Sequence, residues 1–195
     1  MTMLDHLKNR NIILASASPR RRFLLKQLGL EFTSISAEID ESFPDGMTPD
    51  EIAIFLAEKK AGHFEELIED PKNILITADT LVLIDGHILG KPDGREGALK
   101  MLQTLSGNMH QVVTGVCIRS RDKSRSFTAW TDVYFKSLTL SEIDYYLTHY
   151  KPYDKAGAYG IQEWIGYTGI TRIDGSYFNV MGLPVQRLYE ELSRF

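Results

Sequence analysis

A chain of 195 residues in which 43% are hydrophobic and 25% charged can bury one sizeable core, which excludes a disordered or low-complexity protein. Its formal charge of −4 argues against a general nucleic-acid or membrane-surface binder, since such proteins carry an excess of Lys and Arg over one face. The single cysteine, Cys117, rules out an intramolecular disulfide and a cysteine-based zinc site, and suits a reducing compartment.

The first stretch, MTMLDHLKNRNIILAS, has charges before and inside its apolar part. Nowhere do 18 apolar residues run together, so neither a signal peptide nor a membrane span is expected, and the cytoplasm is the expected location. With no internal repeat or long linker, a single domain over 1–195 is expected, with room for two lobes around a cleft. Residues 11–16 read as a buried strand. Ser18 suits an N-cap and Pro19 the first position of a helix that runs to Leu28 and stops at Gly29, and 31–36 read as the next strand. Thr48, Pro49 and Glu51 combine a cap, a first-turn proline and a capping box for a helix to about His63. NILITADTLVLIDGHILGKP reads as a strand, an Asp85-Gly86 hairpin turn and a short returning strand closed by Pro92. That register sets Ile84 against His87 and Lys91 opposite Thr80, one residue from Asp79.

A helix from about Arg95 to Leu105 comes next, then a long hairpin over 109–121 and 125–136. Thr139 and Glu142 repeat the capping box before a helix that ends ahead of Pro152. The Gly- and Tyr-rich segment 153–183 is expected to hold short strands, and LPVQRLYEELSRF an amphipathic helix. Strands and helices mix without strict alternation, which predicts an α/β fold with a mixed, twisted β-sheet flanked by helices and a groove across it.

Two placements work against stability and so point to chemistry. Arg20, Arg21 and Arg22 fall in the first turn of a helix, where each cation costs roughly 0.3–1 kcal/mol through the helix dipole. The turn Ser16-Ala17-Ser18 offers backbone N–H groups at a helix start, and Arg20 and Arg21 add planar donors suited to phosphate oxygens. A solvated basic turn paired with acids elsewhere is the alternative. Asp79 lies inside ILITADTLVLI, where a carboxylate is costly unless paired, hydrogen-bonded or metal-bound; a structural salt bridge is its alternative. Glu38, Asp40 and Glu41 form an acidic loop patch which, with Asp79, supplies the hard oxygen ligands Mg²⁺ shares with phosphates. The five histidines lack zinc-site spacing, and neither GxxxxGK[ST] nor GxGxxG occurs.

In the order LASASPRR, LAEKKA, TADT, LGKP, LSGNMHQVVTGV, KAGAYGIQ and GSYFNVMGLP, these residues resemble the Maf family of nucleoside triphosphate pyrophosphatases over essentially the whole chain. The resemblance implies an inosine triphosphate pyrophosphatase-like fold with a deep substrate cleft, dependence on Mg²⁺ or Mn²⁺, a homodimer, and cleavage of a nucleoside triphosphate to the monophosphate and pyrophosphate. It implies Asp79 as the proton acceptor, Arg20, Thr80 and Gln162 as specificity positions, and Arg21, Glu41, Lys60 and Lys91 as further site residues. With Ser16 and Ser18 of the phosphate turn they complete the expected substrate contacts, with Glu41 and Asp79 as metal ligands. Arg20, Thr80 and Gln162 together look like the branch acting on dTTP and UTP, with modified pyrimidine nucleotides open. The departure is IQEW, where Glu163 and Trp164 replace the glycine-rich continuation of some relatives. A nucleotide-binding regulator of septum formation and a γ-phosphatase are the alternatives.

Overall fold

The computed structural model describes residues 4–195 of the chain. A short 3-10 turn, Asp5–Leu7, leads into β1 (Asn11–Ala15), α1 (Pro19–Lys26) and β2 (Phe32–Ile35), the expected β-α-β opening. Strand β1 pairs in parallel with β2 on one side and with β3 (Asn73–Ile84) on the other. Its residues Ile12 to Ala15 are all buried. A central parallel strand has no solvated face, so it needs a continuous apolar run and not an alternating one.

Both capping boxes form. At α2 (Pro49–Gly62) Thr48 N donates to Glu51 Oε2 at 2.7 Å while Glu51 N donates to Thr48 Oγ1 at 3.4 Å, and Thr139 and Glu142 repeat the exchange at α4 (Leu140–Tyr150). β4 (His87–Leu89) returns antiparallel on β3 through Asp85 and Gly86, whose φ values of 49° and 79° are those a two-residue hairpin turn of this hand requires. α3 (Gly94–Leu105), β5 (Met109–Arg119) and β6 (Ser124–Phe135) follow. Among the described residues the sheet has seven strands in the order β2-β1-β3-β5-β6-β7, with β4 on β3; β7 (Ile170–Gly175) runs antiparallel to β6. The mixed α/β class read from the sequence is the one found.

The segment 153–183 departs from expectation. β7 is its strand; the rest forms a 3-10 turn at Ala156–Ala158, α5 (Trp164–Gly169) and α6 (Tyr177–Met181). Its glycines serve close approaches: a Cβ on Gly166 would fall 1.8 Å from the Ile161 carbonyl oxygen, and one on Gly175 2.7 Å from Thr131 Oγ1. The glycines that read as marks of short strands here allow close approach at the turn ahead of α5 and between β7 and β6.

The residues form two compact units. The first comprises the chain up to Asp79 together with Thr114–Ala129 and Gly182–Phe195. Ile13, Ala57, Leu75 and Cys117 pack in its core, and α2 lies so close to β5 that a Cβ on Gly115 would meet the Ala53 carbonyl oxygen at 2.2 Å. Its last helix, α7 (Val185–Ser193), carries the buried Glu191, which accepts from Arg125 Nε at 2.8 Å and Arg187 Nε at 2.9 Å. The second unit comprises Thr80–Val113 and Trp130–Met181. Val82, Val112 and Val133 pack in its core, and buried Asn179 donates from Nδ2 to Val112 O and Thr131 Oγ1 at 3.2 and 3.0 Å. His110, fully buried, stacks on Phe135 at 5.4 Å and shares a 2.7 Å hydrogen bond between Nε2 and the Tyr159 hydroxyl. No helix among the described residues is long and apolar enough to cross a membrane.

Candidate active site

In the first unit, strand β3 and helix α2 are registered by one buried contact: Thr77 Oγ1 donates to the Ala57 carbonyl at 2.6 Å. Residues two apart on a strand share a face, and residues three apart on a helix share a side. The bond therefore brings Asp79, two residues beyond Thr77, to Lys60, three residues beyond Ala57. Lys60 Nζ lies 2.5 Å from Asp79 Oδ1 and 2.9 Å from Glu41 Oε1. Asp79 is 7% exposed, so the carboxylate that was anomalous in an apolar strand is paired where it is desolvated. The pairing matches the structural alternative read from the sequence, while the convergence of a second carboxylate on the same ammonium goes beyond it.

The acidic loop is drawn to the same helix. Asp40 accepts from Lys59 Nζ at 3.0 Å and from the Ser42 amide at 3.1 Å, and Lys59 also donates to the Ser42 carbonyl at 3.0 Å. These hydrogen bonds, that from the Ser42 hydroxyl first among them, hold the Asp40 carboxyl down at about 2. Adjacent lysines at the end of α2, where the helix dipole favours cations, thus place Asp40 and Glu41. The exposed Glu38 of the expected patch is outside these contacts.

The arginine turn splits into distinct roles. Ser18 caps α1, accepting from the Arg21 amide at 3.4 Å, and its own amide donates to Ser16 Oγ at 3.2 Å; Ser16, buried, donates its amide to the Ile35 carbonyl at 2.8 Å. The turn has therefore already engaged three of the amides expected to face an anion, leaving those of Ala17 and Arg20. Arg21 is half-buried and tied to backbone: Nε donates to the Gly182 carbonyl at 2.7 Å and Nη1 to the Ala78 carbonyl at 2.8 Å. Burial lowers its pKa; the carboxylate of Asp79 opposes that shift, Arg20 adds to it, and Glu41 also opposes it. Arg22, exposed, donates to the Ala17 carbonyl at 3.1 Å. Arg20 makes no hydrogen bond or ion pair among the described residues, the condition of a guanidinium available to an anion.

Three further expected residues belong to the second unit. Thr80 follows Asp79 in β3 and is half-buried. The predicted register holds for Ile84–His87, Leu83–Ile88 and Val82–Leu89, but the ladder ends there, so Lys91 is not paired opposite Thr80. Pairing stops because β4 ends at Leu89, two residues short of Lys91. Gly90 instead accepts from the Gly157 amide at 3.1 Å, which ties the loop of Lys91 to the segment carrying Gln162. Gln162 occupies the third place of a turn closed by Glu163 N donating to Gly160 O at 2.9 Å, and its Oε1 is shielded from solvent without a partner among the described residues. Tyr146 and Lys155, which bond to Glu163, are not singled out by the sequence: Tyr146 falls in the helix after the second capping box and Lys155 opens the KAGAYGIQ stretch.

A buried acid held by a lysine that also grips a second acid, next to an unpaired arginine in a helix's first turn, describes an α/β protein built to handle an anionic, cation-associated ligand. The Maf-like protein family model matches residues 11–195, and the chain belongs to that family. It is 50% identical over 193 residues to a dTTP/UTP pyrophosphatase of Bacteroides fragilis, covering 98% of this chain and 100% of the relative. It is 52% identical over 196 residues to a dTTP/UTP pyrophosphatase of Porphyromonas gingivalis, covering 99% and 98%. Among solved structures, the Staphylococcus aureus Ham1 protein aligns with a TM-score of 0.45 at 15% identity, over 65% of this chain and 72% of that one.

Proposed function

We propose that this protein hydrolyses dTTP and UTP to the nucleoside monophosphate and pyrophosphate. The observation that carries the reading is the buried Asp79 carboxylate, fixed beside Lys60 and Glu41 and one residue past Ala78, whose carbonyl accepts from Arg21. Relatives bearing that activity in their names, at about half identity across nearly the whole chain, support the substrate.

Asp79 acts as general base: it takes a proton from water as the oxygen attacks the α-phosphorus in line, and the bond from that phosphorus to the bridging oxygen breaks to release pyrophosphate. In such transfers nearly all catalysis is positioning and charge stabilisation. Arg20, Lys60 and Lys91 supply positive charge to the phosphate oxygens, and the Ser16 to Ser18 turn offers its remaining amide, that of Ala17. Arg21 acts chiefly by holding β3 at Ala78, and adds its charge nearby. Gln162, with its shielded Oε1, reads the N3–H and O4 edge of thymine or uracil, and Thr80 borders the same reading.

The donor set fits Mg²⁺ or Mn²⁺ as a shared ligand. Among the described residues there is no group of three His, Cys, Asp or Glu able to hold a metal by itself, but Glu41 and Asp79 converge on one point, and Mg²⁺ is commonly held by one or two carboxylates together with substrate phosphates. When bound, the cation supplies neutralisation of the phosphate charge. The reading extends to a homodimer and to the cytoplasm, where the buried, unpaired Cys117 meets no oxidising demand.

The test is an assay of the purified protein with each common nucleoside triphosphate and Mg²⁺ or Mn²⁺, measuring pyrophosphate and orthophosphate separately. Pyrophosphate from dTTP and UTP is expected. Orthophosphate alone would make the protein a γ-phosphatase, and no product from any triphosphate would overturn the enzymatic reading.

A further inference from the structure

The second unit holds a buried polar network just behind Gln162. The Tyr146 ring is fully buried on α4, and its hydroxyl is used twice. It accepts from the Gly160 amide at 3.0 Å and donates to Glu163 Oε2. Gly160 and Glu163 are the first and last residues of the four-residue turn whose third residue is Gln162. One phenol therefore fixes both ends of the turn. Lys155, 7% exposed, places Nζ 3.2 Å from Glu163 Oε1 and 2.8 Å from Asp154 Oδ1, so it shares its charge between the carboxylate that the phenol bond orients and a second, exposed one. Glu163 in turn accepts at its backbone carbonyl from Gly166 N at 2.9 Å, joining the turn to the start of α5.

The space around the amide is equally determined. A Cβ on Gly160 would come 3.0 Å from Gln162 Nε2 and 2.8 Å from Glu163 Cδ. The Gln162 carboxamide thus lies against the bare Cα of the turn's first residue, with the Glu163 carboxylate as the adjoining wall. The geometry points to Tyr146, Glu163 and Lys155 as positioning residues that hold the Gln162 carboxamide in its base-reading place and thereby set the discrimination between thymine or uracil and other bases. This rests on the assignment of Gln162 to the base under the function proposed above. The reason a phenol and an ion pair are needed is the cost of slack: a reading group displaced by about 1 Å loses its hydrogen-bond geometry, and misplacements of that size cost up to about 10²-fold in rate.

The experiment compares Tyr146→Phe, Glu163→Gln and Gln162→Ala, each with dTTP and dCTP, recording kcat and KM separately together with a melting temperature. Tyr146→Phe keeps the buried ring and removes only the hydroxyl. It is expected to lower the dTTP to dCTP ratio of kcat/KM by about tenfold or more, through KM for dTTP, with kcat little changed. Glu163→Gln still accepts from the phenol but leaves the Lys155 charge to Asp154, so a smaller fall in the same direction is expected. Gln162→Ala is expected to collapse the ratio. Retention of the parent ratio by both Tyr146→Phe and Glu163→Gln, while Gln162→Ala loses it, would reduce the network to scaffolding and overturn this proposal alone. Retention of the ratio by Gln162→Ala would overturn the base assignment and this proposal with it. Should Tyr146→Phe fail to fold, Glu163→Gln decides.

Discussion

The ammonium of Lys60 lies 2.5 Å from Oδ1 of Asp79, a residue midway along β3 that is only 7% exposed. The contact fixes where that carboxylate points, as the role of general base proposed above requires. Asp79→Asn keeps the shape and the contact with Lys60 while removing the base. Turnover is expected to fall by about 10²-fold to 10⁴-fold, with triphosphate binding in the presence of Mg²⁺ largely kept. Rapid-quench or steady-state kinetics beside calorimetric binding checks this, and a near-parent rate would remove Asp79 from the role of base.

Removing the cation tests the other half of the relationship. In Lys60→Met the buried Asp79 and the nearer oxygen of Glu41 lose the ammonium between them, and a partly buried acid without its partner costs on the order of 2 kcal/mol, less than for a fully buried pair because Glu41 reaches solvent. For a chain of this length that is a fall of roughly 4–8 °C in Tm. With that ammonium gone Mg²⁺ can take its place between the two carboxylates, so it is expected to raise the Tm of the variant more than that of the parent. Equal Mg²⁺ responses would argue against Glu41 and Asp79 as the metal-binding pair.

Arg20 and Arg21 are adjacent but are expected to fail differently. Arg20 makes no hydrogen bond or ion pair among the described residues and opposes the α1 dipole, so Arg20→Ala should lower kcat/KM with stability unchanged or up to about 0.5 kcal/mol higher. Arg21 donates to the carbonyls of Gly182 and Ala78, and Arg21→Ala leaves both half-buried oxygens without that donor, a loss of about 2–3 kcal/mol. Thermal melts beside kinetics separate the two. A clear fall in Tm for Arg20→Ala would give that arginine a structural role instead.

Much of this was legible in the chain because its signals are local. Thr48 with Glu51 and Thr139 with Glu142 carry their caps within four residues, and Asp85-Gly86 specifies its own turn, so those elements and the β3–β4 register follow from sequence. Asp79 stood out because a charge in an apolar strand must be compensated. The identity of its compensator was not legible: Lys60 reaches it through the Thr77 bond to Ala57, a contact between residues 20 apart. The same holds for Arg21, whose acceptors at Ala78 and Gly182 lie far along the chain, and for Tyr146, whose partners Gly160 and Glu163 lie outside its own helix. The segment 153–183 holds one strand where several were expected, because its glycines also serve close approaches such as that of Gly166 to the Ile161 carbonyl, which composition alone does not separate from strand turns.

His110 gives the fold a pH dependence with a definite sign. It is fully buried, its Nε2 is bonded to the Tyr159 hydroxyl, and its Nδ1 has no partner among the described residues, so protonation would place a charge where nothing solvates it. Burial holds its pKa down to about 4, against about 6.5 in the unfolded chain. Between those values the unfolded state binds a proton that the folded state refuses, so stability is full above about pH 6.5 and falls as the pH drops toward 4. The shift corresponds to a loss of about 3 kcal/mol across that window for this one group. In His110→Gln the amide can still meet the Tyr159 hydroxyl but has no proton to gain, so its Tm should change less between pH 6.5 and 4.5 than that of the parent. Parallel melting profiles for the two proteins across that range would show that His110 takes up its proton as readily in the folded state as in the unfolded one.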